Sequence, residues 1–325
     1  MKTALIAGLT GQDGSYLSEE LLGLGYKVVG IIRRSSTDNL QNLSDVIDNE
    51  NLILEYGDLT DQGSIDRIFN MYTFDEVYNL GAMSFVPVSW KSPEFTFNVN
   101  ALGHIRILES VRRFNPESKV YFAGTSEMFG KVRETPQTEK TPFYPRSPYG
   151  IAKVAGFWST INYRESYNLF ACNGILFNHE SVRRPIEFVT RKVTDGVAKI
   201  ACGLQKELRL GNLDSKRDWG HSKDYISAMI LMLQQDIPDD FVVGMGETHT
   251  IRELCQIAFD RVGLDYEKYV VVDPKFYRPA EVDILLSDSS KARKVLGWKP
   301  KYTFEMLINE MVDHDLSLIE GSLNE

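Results

Sequence analysis

The sequence has few cysteines, no long apolar run and no excess of basic charge, and each absence narrows what it can be. Cys172, Cys202 and Cys255 are odd in number and share no short spacing. That usage fits reduced thiols and speaks against a disulfide framework. No C-x-x-C or H-E-x-x-H occurs, and His179-Glu180 lacks further ligands at metal spacing, so no metal centre is expected. No apolar stretch reaches the roughly 20 residues of a membrane span. The opening MKTALIAGLTGQDG runs straight into a glycine turn with no signal-peptide h-region, and a cytoplasmic location is expected. The formal charge of −9 and pI near 5.2 argue against general nucleic-acid or anionic-membrane binding. Local arginines still leave room for a phosphorylated small ligand. No linker, repeat or low-complexity tract is present.

What is there is ordinary in composition and organised in pattern. The 325 residues, 43% hydrophobic and 25% charged, suit one large α/β domain or two smaller ones. Residues 3–7 (TALIA) form a short apolar run, as a strand buried on both faces would. Gly8, Thr10, Gly11, Gln12, Asp13 and Gly14 make up most of the turn that follows, and YLSEELLGLGY continues with helical spacing before the strand at 27–32 (KVVGII). Strand, glycine turn, helix and strand form the βαβ unit that seats a pyrophosphate on a helix N-terminus. The glycines are spaced G-x-x-G-x-x-G, and their place between first strand and first helix is what gives them weight; the alternative is a tight turn without a ligand. The second strand ends in Arg33-Arg34-Ser35-Ser36 rather than an acid. Two cations and two hydroxyls suit a ribose 2′-phosphate, hence NADP rather than NAD, unless the turn is merely a solvated basic one.

Further strands are expected at 52–56, 76–80, 120–123 and 170–177, with an amphipathic helix over 98–114. The fold class is therefore α/β, a Rossmann-type doubly wound parallel sheet. Asp58 and Leu59 follow the third strand; Asp58 either reaches an adenine amine or caps the next helix. Leu80 ends the fourth and Gly81, Ala82 and Ser84 follow it, where small residues let backbone approach a cofactor. After residue 178 the strand–helix rhythm loosens. Residues 1–178 are expected to hold the cofactor, with late strands from about 212–244 returning to the sheet, and 179–325 mainly to form a smaller nucleotide-sugar lobe.

The fifth strand delivers Thr125, Ser126 and Glu127 to the same sheet edge, and Tyr149 and Lys153 follow in Y-x-x-x-K spacing. Residues four apart share a helix face, so the Lys153 ammonium is expected to lower the Tyr149 pKa from its usual value of about 10. Tyr149 then becomes a base for a sugar or alcohol hydroxyl. The intervening excursion, 133–148, is expected to cover the site. Trp90, Trp158, Trp219 and Trp298 are expected to pack within the core or lobe.

With these residues assembled, the chain resembles the extended short-chain dehydrogenase/reductases, and among them the GDP-mannose 4,6-dehydratase family. The likeness rests on GLTGQDGSYL (8–17), RRSS (33–36), YGDLTD (56–61), YNLGAMSFV (78–86), TSEMFG (125–130), TPFYPRSPYGIAK (141–153), GILFNHES (174–181), FVTRK (188–192), LGNLDSKRDWG (210–220) and FYRPAEVD (276–283). It implies tightly bound NADP on the glycine turn, Arg33 to Ser36, Asp58, Leu59, Leu80 to Ser84, Tyr149, Lys153, His179 and Arg184. It implies a catalytic set of Thr125, Glu127, Tyr149 and Lys153. A GDP-sugar would meet Ser84, Thr125, Ser126, Glu127, Tyr149, Asn178, Lys192, Arg217, Arg278 and Glu281, with Arg217 and Arg278 suited to clamp phosphates unless they make surface ion pairs. A homo-oligomer is implied, a tetramer before a dimer. Phe95 stands where the family usually has tyrosine, and VRRP (182–185) departs from the family pattern.

The reaction implied is conversion of GDP-D-mannose to its 4-keto-6-deoxy derivative plus water. A related GDP-sugar such as a GDP-manno-heptose would present the same three carbons. A 4-epimerase would not need the carboxylate of Glu127, and a non-catalytic NADP-binding subunit would not need all four catalytic residues.

Overall fold

The computed structural model describes residues 1–36, 39–277, 282 and 284–324. Its centre is a parallel sheet of seven strands. Six come from the apolar runs of the first half: β1 (Thr3–Ala7), β2 (Lys27–Ile32), β3 (Leu52–Tyr56), β4 (Glu76–Asn79), β5 (Lys119–Ala123) and β6 (Ala171–Leu176). Between them run α1 (Gln12–Gly23), α2 (Gln62–Met71), α3 (Val86–Lys91), α4 (Pro93–Phe97), α5 (Gly103–Phe114) and α6 (Pro148–Tyr167). The segment expected as one helix over 98–114 begins instead with a π turn, Asn98–Leu102, before α5.

The second half supplies β7 (Asn178–Glu180), α7 (Val189–Ala201), β8 (Leu208–Leu210), β9 (Lys216–Arg217), β10 (Trp219–His221), α8 (Ser222–Leu233), β11 (Asp240–Val243), β12 (His249–Thr250), α9 (Ile251–Arg261), β13 (Val270–Val272), α10 (Ser290–Val295) and α11 (Phe304–Asn324). The sheet order is β11-β6-β5-β4-β1-β2-β3. Of the span 212–244, β11 alone joins this sheet; β10 pairs with β7 and β9 with β12. No helix among the described residues is long and apolar enough to cross a membrane.

Both faces of the sheet are covered, as near-continuous apolar strands require. Leu17 and Leu21 of α1 and Tyr225 and Met229 of α8 pack on one face, with Trp298 behind them. Ile65 and Ile68 of α2 and Ile107 and Val111 of α5 pack on the other. A separate core joins α7, α9 and α11 through Val193, Val197, Leu254, Phe259, Leu307 and Met311.

The late strand is welded to the sheet by charge as well as by its ladder. Arg164 donates to both carboxylate oxygens of Asp240, at 3.1 and 2.9 Å, and Asn173 Nδ2 donates to Oδ1 at 2.8 Å. The excursion 133–148 lies across the outer side of β11 rather than over the ligand edge. Glu139 Oε1 accepts from Val242 N–H at 2.8 Å, and Gln137 N–H donates to Leu286 O at 2.8 Å. The Glu139 carboxylate thus gives a partner to backbone that the open edge of β11 would otherwise leave unpaired. Trp219 and Trp298 are each 1% exposed, but Trp90 and Trp158 are 45% and 57% exposed on the outward faces of α3 and α6.

Candidate active site

At the C-terminal edge of the sheet lies a cleft of about 750 Å³, and the turns after β1, β3, β4 and β5 converge on it. That edge is where open α/β sheets bind ligands.

The glycine turn forms one wall. Gly8 has φ of +87°, and a Cβ there would stand 2.8 Å from Gly81 N. A Cβ on Gly14 would stand 2.2 Å from Gly8 O, so strand end and helix start meet backbone to backbone. The N-cap, Gly11, offers no side chain to the first N–H groups of α1. Thr10, Gly11, Asp13 and Gly14 line the cleft. An uncapped helix N-terminus with no side chain in the way fits a pyrophosphate. Arg33 lines the cleft at the end of β2, whereas Arg34, Ser35 and Ser36 are exposed beside it and are not among its lining residues.

Two predicted cofactor contacts also serve to hold the wall together. Gln12 is buried; its Nε2 donates to Asp13 Oδ1 and His179 O, and its Oε1 accepts from Ser181 Oγ at 2.9 Å. His179 Nε2 stands 2.8 Å from Asp13 Oδ2 and its Nδ1 stands 2.8 Å from Phe177 O. Burial pulls the imidazole pKa down, but the Asp13 carboxylate outweighs it and leaves His179 above its ordinary value. Burial likewise pushes Asp13 up, and His179 outweighs it, leaving the carboxyl below its ordinary value. Ser181 was not among the individually predicted residues; its signal lay inside NHES.

Asp58 and Leu59 line the cleft, and Asp58 Oδ1 accepts from Thr60 N–H and Oγ1, at 2.8 and 2.7 Å. The cap of α2 is Asp61, which accepts from Gly63 N–H at 3.0 Å, so Asp58 is not the cap. Leu80, Gly81, Ala82 and Ser84 line the opposite side, with Phe95 46% exposed nearby in the lining.

Thr125, Ser126, Glu127, Tyr149 and Lys153 meet at the centre of the cleft. Thr125, two residues beyond β5, has extended backbone, and its Oγ1 accepts from Glu127 N–H at 3.3 Å, which turns the acid into the cleft wall. Ser147 caps α6, accepting from Gly150 N–H at 3.0 Å, so Tyr149 and Lys153 fall in its first two turns. The expected depression of the tyrosine by the lysine is not what the structure contains. Burial pushes the Tyr149 phenol up to about 12, with a hydrogen bond to Thr125 opposing it. Lys153 Nζ is 5.9 Å from the Tyr149 ring centroid and donates to Ala123 O at 2.7 Å. Burial brings that ammonium down to about 8.

The remaining wall belongs to the second half. Asn178, Lys192, Arg184 and Arg217 line it. Arg184 pairs with Glu180 at 3.0 Å and lies 3.6 Å over the Phe188 ring. Lys192 Nζ lies 3.8 Å over Phe276 and donates to Arg209 O. Arg217 is 7% exposed and donates from Nη1 to Lys216 O and Val282 O, so it lies in the wall and not on the surface. Arg278 and Glu281 lie outside the described residues. Phe188, Asn212 and Phe276 line the cleft without having been singled out individually; their signal lay inside FVTRK, LGNLDSKRDWG and FYRPAEVD. Among the described residues no His, Cys, Asp or Glu cluster is disposed to hold a metal.

Known proteins with this arrangement are numerous. The family profile described as GDP-mannose 4,6 dehydratase matches residues 5–311. GDP-mannose 4,6 dehydratase 2 of Arabidopsis thaliana is 53% identical over 98% of this chain and 87% of its own length. GDP-mannose 4,6-dehydratase of Vibrio cholerae is 48% identical over 98% of this chain and 95% of its own. Among solved structures, the UDP-glucose 4-epimerase of Thermus thermophilus with NAD superposes with a TM-score of 0.85 at 27% identity, covering 96% of this chain and 98% of its own. The dTDP-glucose 4,6-dehydratase of Bacillus anthracis with NAD gives 0.86 at 22%, a likeness of fold, over 98% of each chain. With a family profile spanning nearly all its residues and near-full-length relatives at about half identity, the chain belongs to the GDP-mannose 4,6-dehydratase family.

Proposed function

We propose that this chain removes water from GDP-D-mannose to give GDP-4-keto-6-deoxy-D-mannose, using a nicotinamide dinucleotide that is regenerated in each turnover. The observation that carries the reading is the meeting of Thr125, Glu127, Tyr149 and Lys153 in one cleft with the glycine turn. When bound, the oxidised cofactor supplies positive charge beside the phenol, a hydride acceptor for C4 and, once reduced, a hydride donor for C6. Tyr149 Oη takes the O4 proton, and Lys153 keeps a cation next to it. Thr125 Oγ1 donates to O4 and holds the developing carbonyl. With a ketone at C4, the proton on C5 becomes acidic; the Glu127 carboxylate takes it and gives it to the departing C6 hydroxyl, and the proton that Tyr149 took from O4 is delivered to C5 when C6 is reduced. Arg217 and Lys192 hold the nucleotide end away from this chemistry.

The cofactor is read as NADP, supported by Arg33 in the cleft lining and the three exposed residues after it. Residues 1–178 with β11 are read as the cofactor half, and 179–325 mainly as the sugar half. A cytoplasmic homo-oligomer, tetrameric rather than dimeric, is the reading for the assembly; the free Cys172, Cys202 and Cys255 support the compartment.

The test is incubation with GDP-mannose and catalytic NADP⁺, followed by mass. Loss of one water with no net NADPH is the expected result; an unchanged mass would sink the reading. Glu127→Gln should bind NADP⁺ normally while its dehydration rate falls by at least about a hundredfold. A variant that dehydrates at the normal rate would show that Glu127 is not the base; a 4-epimerase expels no water, so an epimerised sugar of unchanged mass would favour that alternative.

A further inference from the structure

The cleft walls include three turns that touch one another in series. A Cβ on Gly8 would press on Gly81 N at 2.8 Å, and one on Gly81 would press on Leu59 Cδ1 at 2.7 Å. One on Gly103 would meet Leu59 Cβ at 2.9 Å and Leu59 O at 3.3 Å. The turns after β1, β4 and β3 are thus stacked in that order against the start of α5.

Immediately before α5 the chain makes its π turn, Asn98–Leu102. Such turns are rare and gather at functional sites. Asn100, 2% exposed, faces the turn after β4 with its whole amide: Oδ1 accepts from Met83 N–H at 2.8 Å and Nδ2 donates to Met83 O at 3.0 Å. Asn98 O accepts from Gly103 N–H, as the π turn requires, and also from Arg106 Nη1 at 3.1 Å. Arg106 Nη2 donates to Asn98 Oδ1 at 2.9 Å, and Nη1 reaches Leu59 O at 2.8 Å. Asn98, Asn100 and Arg106 are not cleft-lining residues, whereas Leu59 and Met83, which they hold, are.

We infer that Asn100, with Asn98 and Arg106, is a positioning residue for the dinucleotide: the π turn is a brace that sets the spacing of the turns bearing Leu59 and Gly81 to Ser84. This rests on reading the cleft as a dinucleotide site. A backbone turn held at both its N–H and its C=O cannot rotate those groups toward or away from a ligand. Removing the amide takes from both Met83 groups their Asn100 partner, and the turn relaxes toward any arrangement that satisfies them. The GDP end of the cleft is built from other elements, α7 and the segment around Arg217, and should not respond.

Calorimetric titration of Asn100→Ala and wild type with NADP⁺ and, separately, with GDP tests this without any turnover. The expected result is an NADP⁺ Kd raised about tenfold, corresponding to loss of the two part-buried hydrogen bonds to Met83, with the GDP Kd unchanged. Unchanged NADP⁺ affinity, or equal weakening toward both ligands, overturns the brace. If Asn100→Ala fails to fold by circular dichroism, Arg106→Lys, which keeps the charge but loses the forked contact, must show the same selective loss. Wild-type protein that binds NADP⁺ but leaves GDP-mannose intact sinks the dehydratase reading alone. Wild-type protein that binds neither NADP⁺ nor NAD⁺ overturns the brace with it.

Discussion

His179 stands between the Asp13 carboxylate and the Phe177 carbonyl, and its charge state follows from those two acceptors. Asp13 is held below its ordinary 3.8, so its share of stability is present above that value and is lost as pH falls through the folded pKa. His179 is held above its ordinary 6.5, so its share is present below 6.5 and is lost as pH rises through the raised value. Both hold fully between 3.8 and 6.5. The Tm deficit of Asp13→Asn relative to wild type should therefore be larger at about pH 5.5 than at about pH 9 in scanning calorimetry; a deficit independent of pH would show that the pair is not ionic. At this scale the sequence disclosed which residues meet but not their protonation. Y-x-x-x-K puts Tyr149 and Lys153 on one face, yet spacing says nothing of depth. Burial raises one and lowers the other, and the lysine spends a hydrogen bond on Ala123 O.

Elements were legible where one physical cause dominated. Apolar runs between turns placed β1, β2 and β3 at the expected residues, because such runs have few other ways to be buried. The π turn was not legible, since the apolar spacing of 98–114 is helical throughout and the bulge is imposed by contacts with Met83 and Leu59. The excursion 133–148 was misplaced for the same reason: its partners, Val242 and Leu286, are far away in sequence. Helix α1 offers a controlled comparison of two glycines. An Ala at Gly14 would drive its Cβ to 2.2 Å from Gly8 O and 2.7 Å from Leu9 Cα, backbone that cannot yield. Gly14→Ala should lose about 1–3 kcal/mol and weaken dinucleotide binding. Gly23→Ala, with nothing within 4 Å of its Cβ, should gain about 0.5–1 kcal/mol. Urea unfolding of both variants checks the pair, and equal effects would mean that close backbone approach is not what requires glycine at the turn.

For the whole molecule, chain order and spatial order disagree at one place. The seventh strand of the sheet is β11, which follows β7, β8, β9 and β10 in the chain; those four pair outside the sheet, β7 with β10 and β8 and β9 with strands that come later still. The loosening of the sequence pattern after residue 178 reflects those short pairs, two or three residues long, which are too brief to show a period. A fragment ending at residue 178 would leave β6 as an open edge, with Arg164 and Asn173 deprived of Asp240. Such a fragment should emerge from size-exclusion chromatography as aggregate, and a monodisperse monomer would show that β11 is dispensable.

The late arrival of β11 also orders events during translation. The ribosome releases β1 to β6 while the strand that will cover β6 has still to be made. Until residues 240–243 emerge, the nascent chain presents a parallel, apolar edge to whatever is nearby. Trp298, whose indole N–H donates to Asp224 O beneath α8, is released later still. Slow codons or a holding chaperone would matter most within that interval, and a stop codon anywhere inside it would yield a chain with its glycine turn complete and its sheet unfinished.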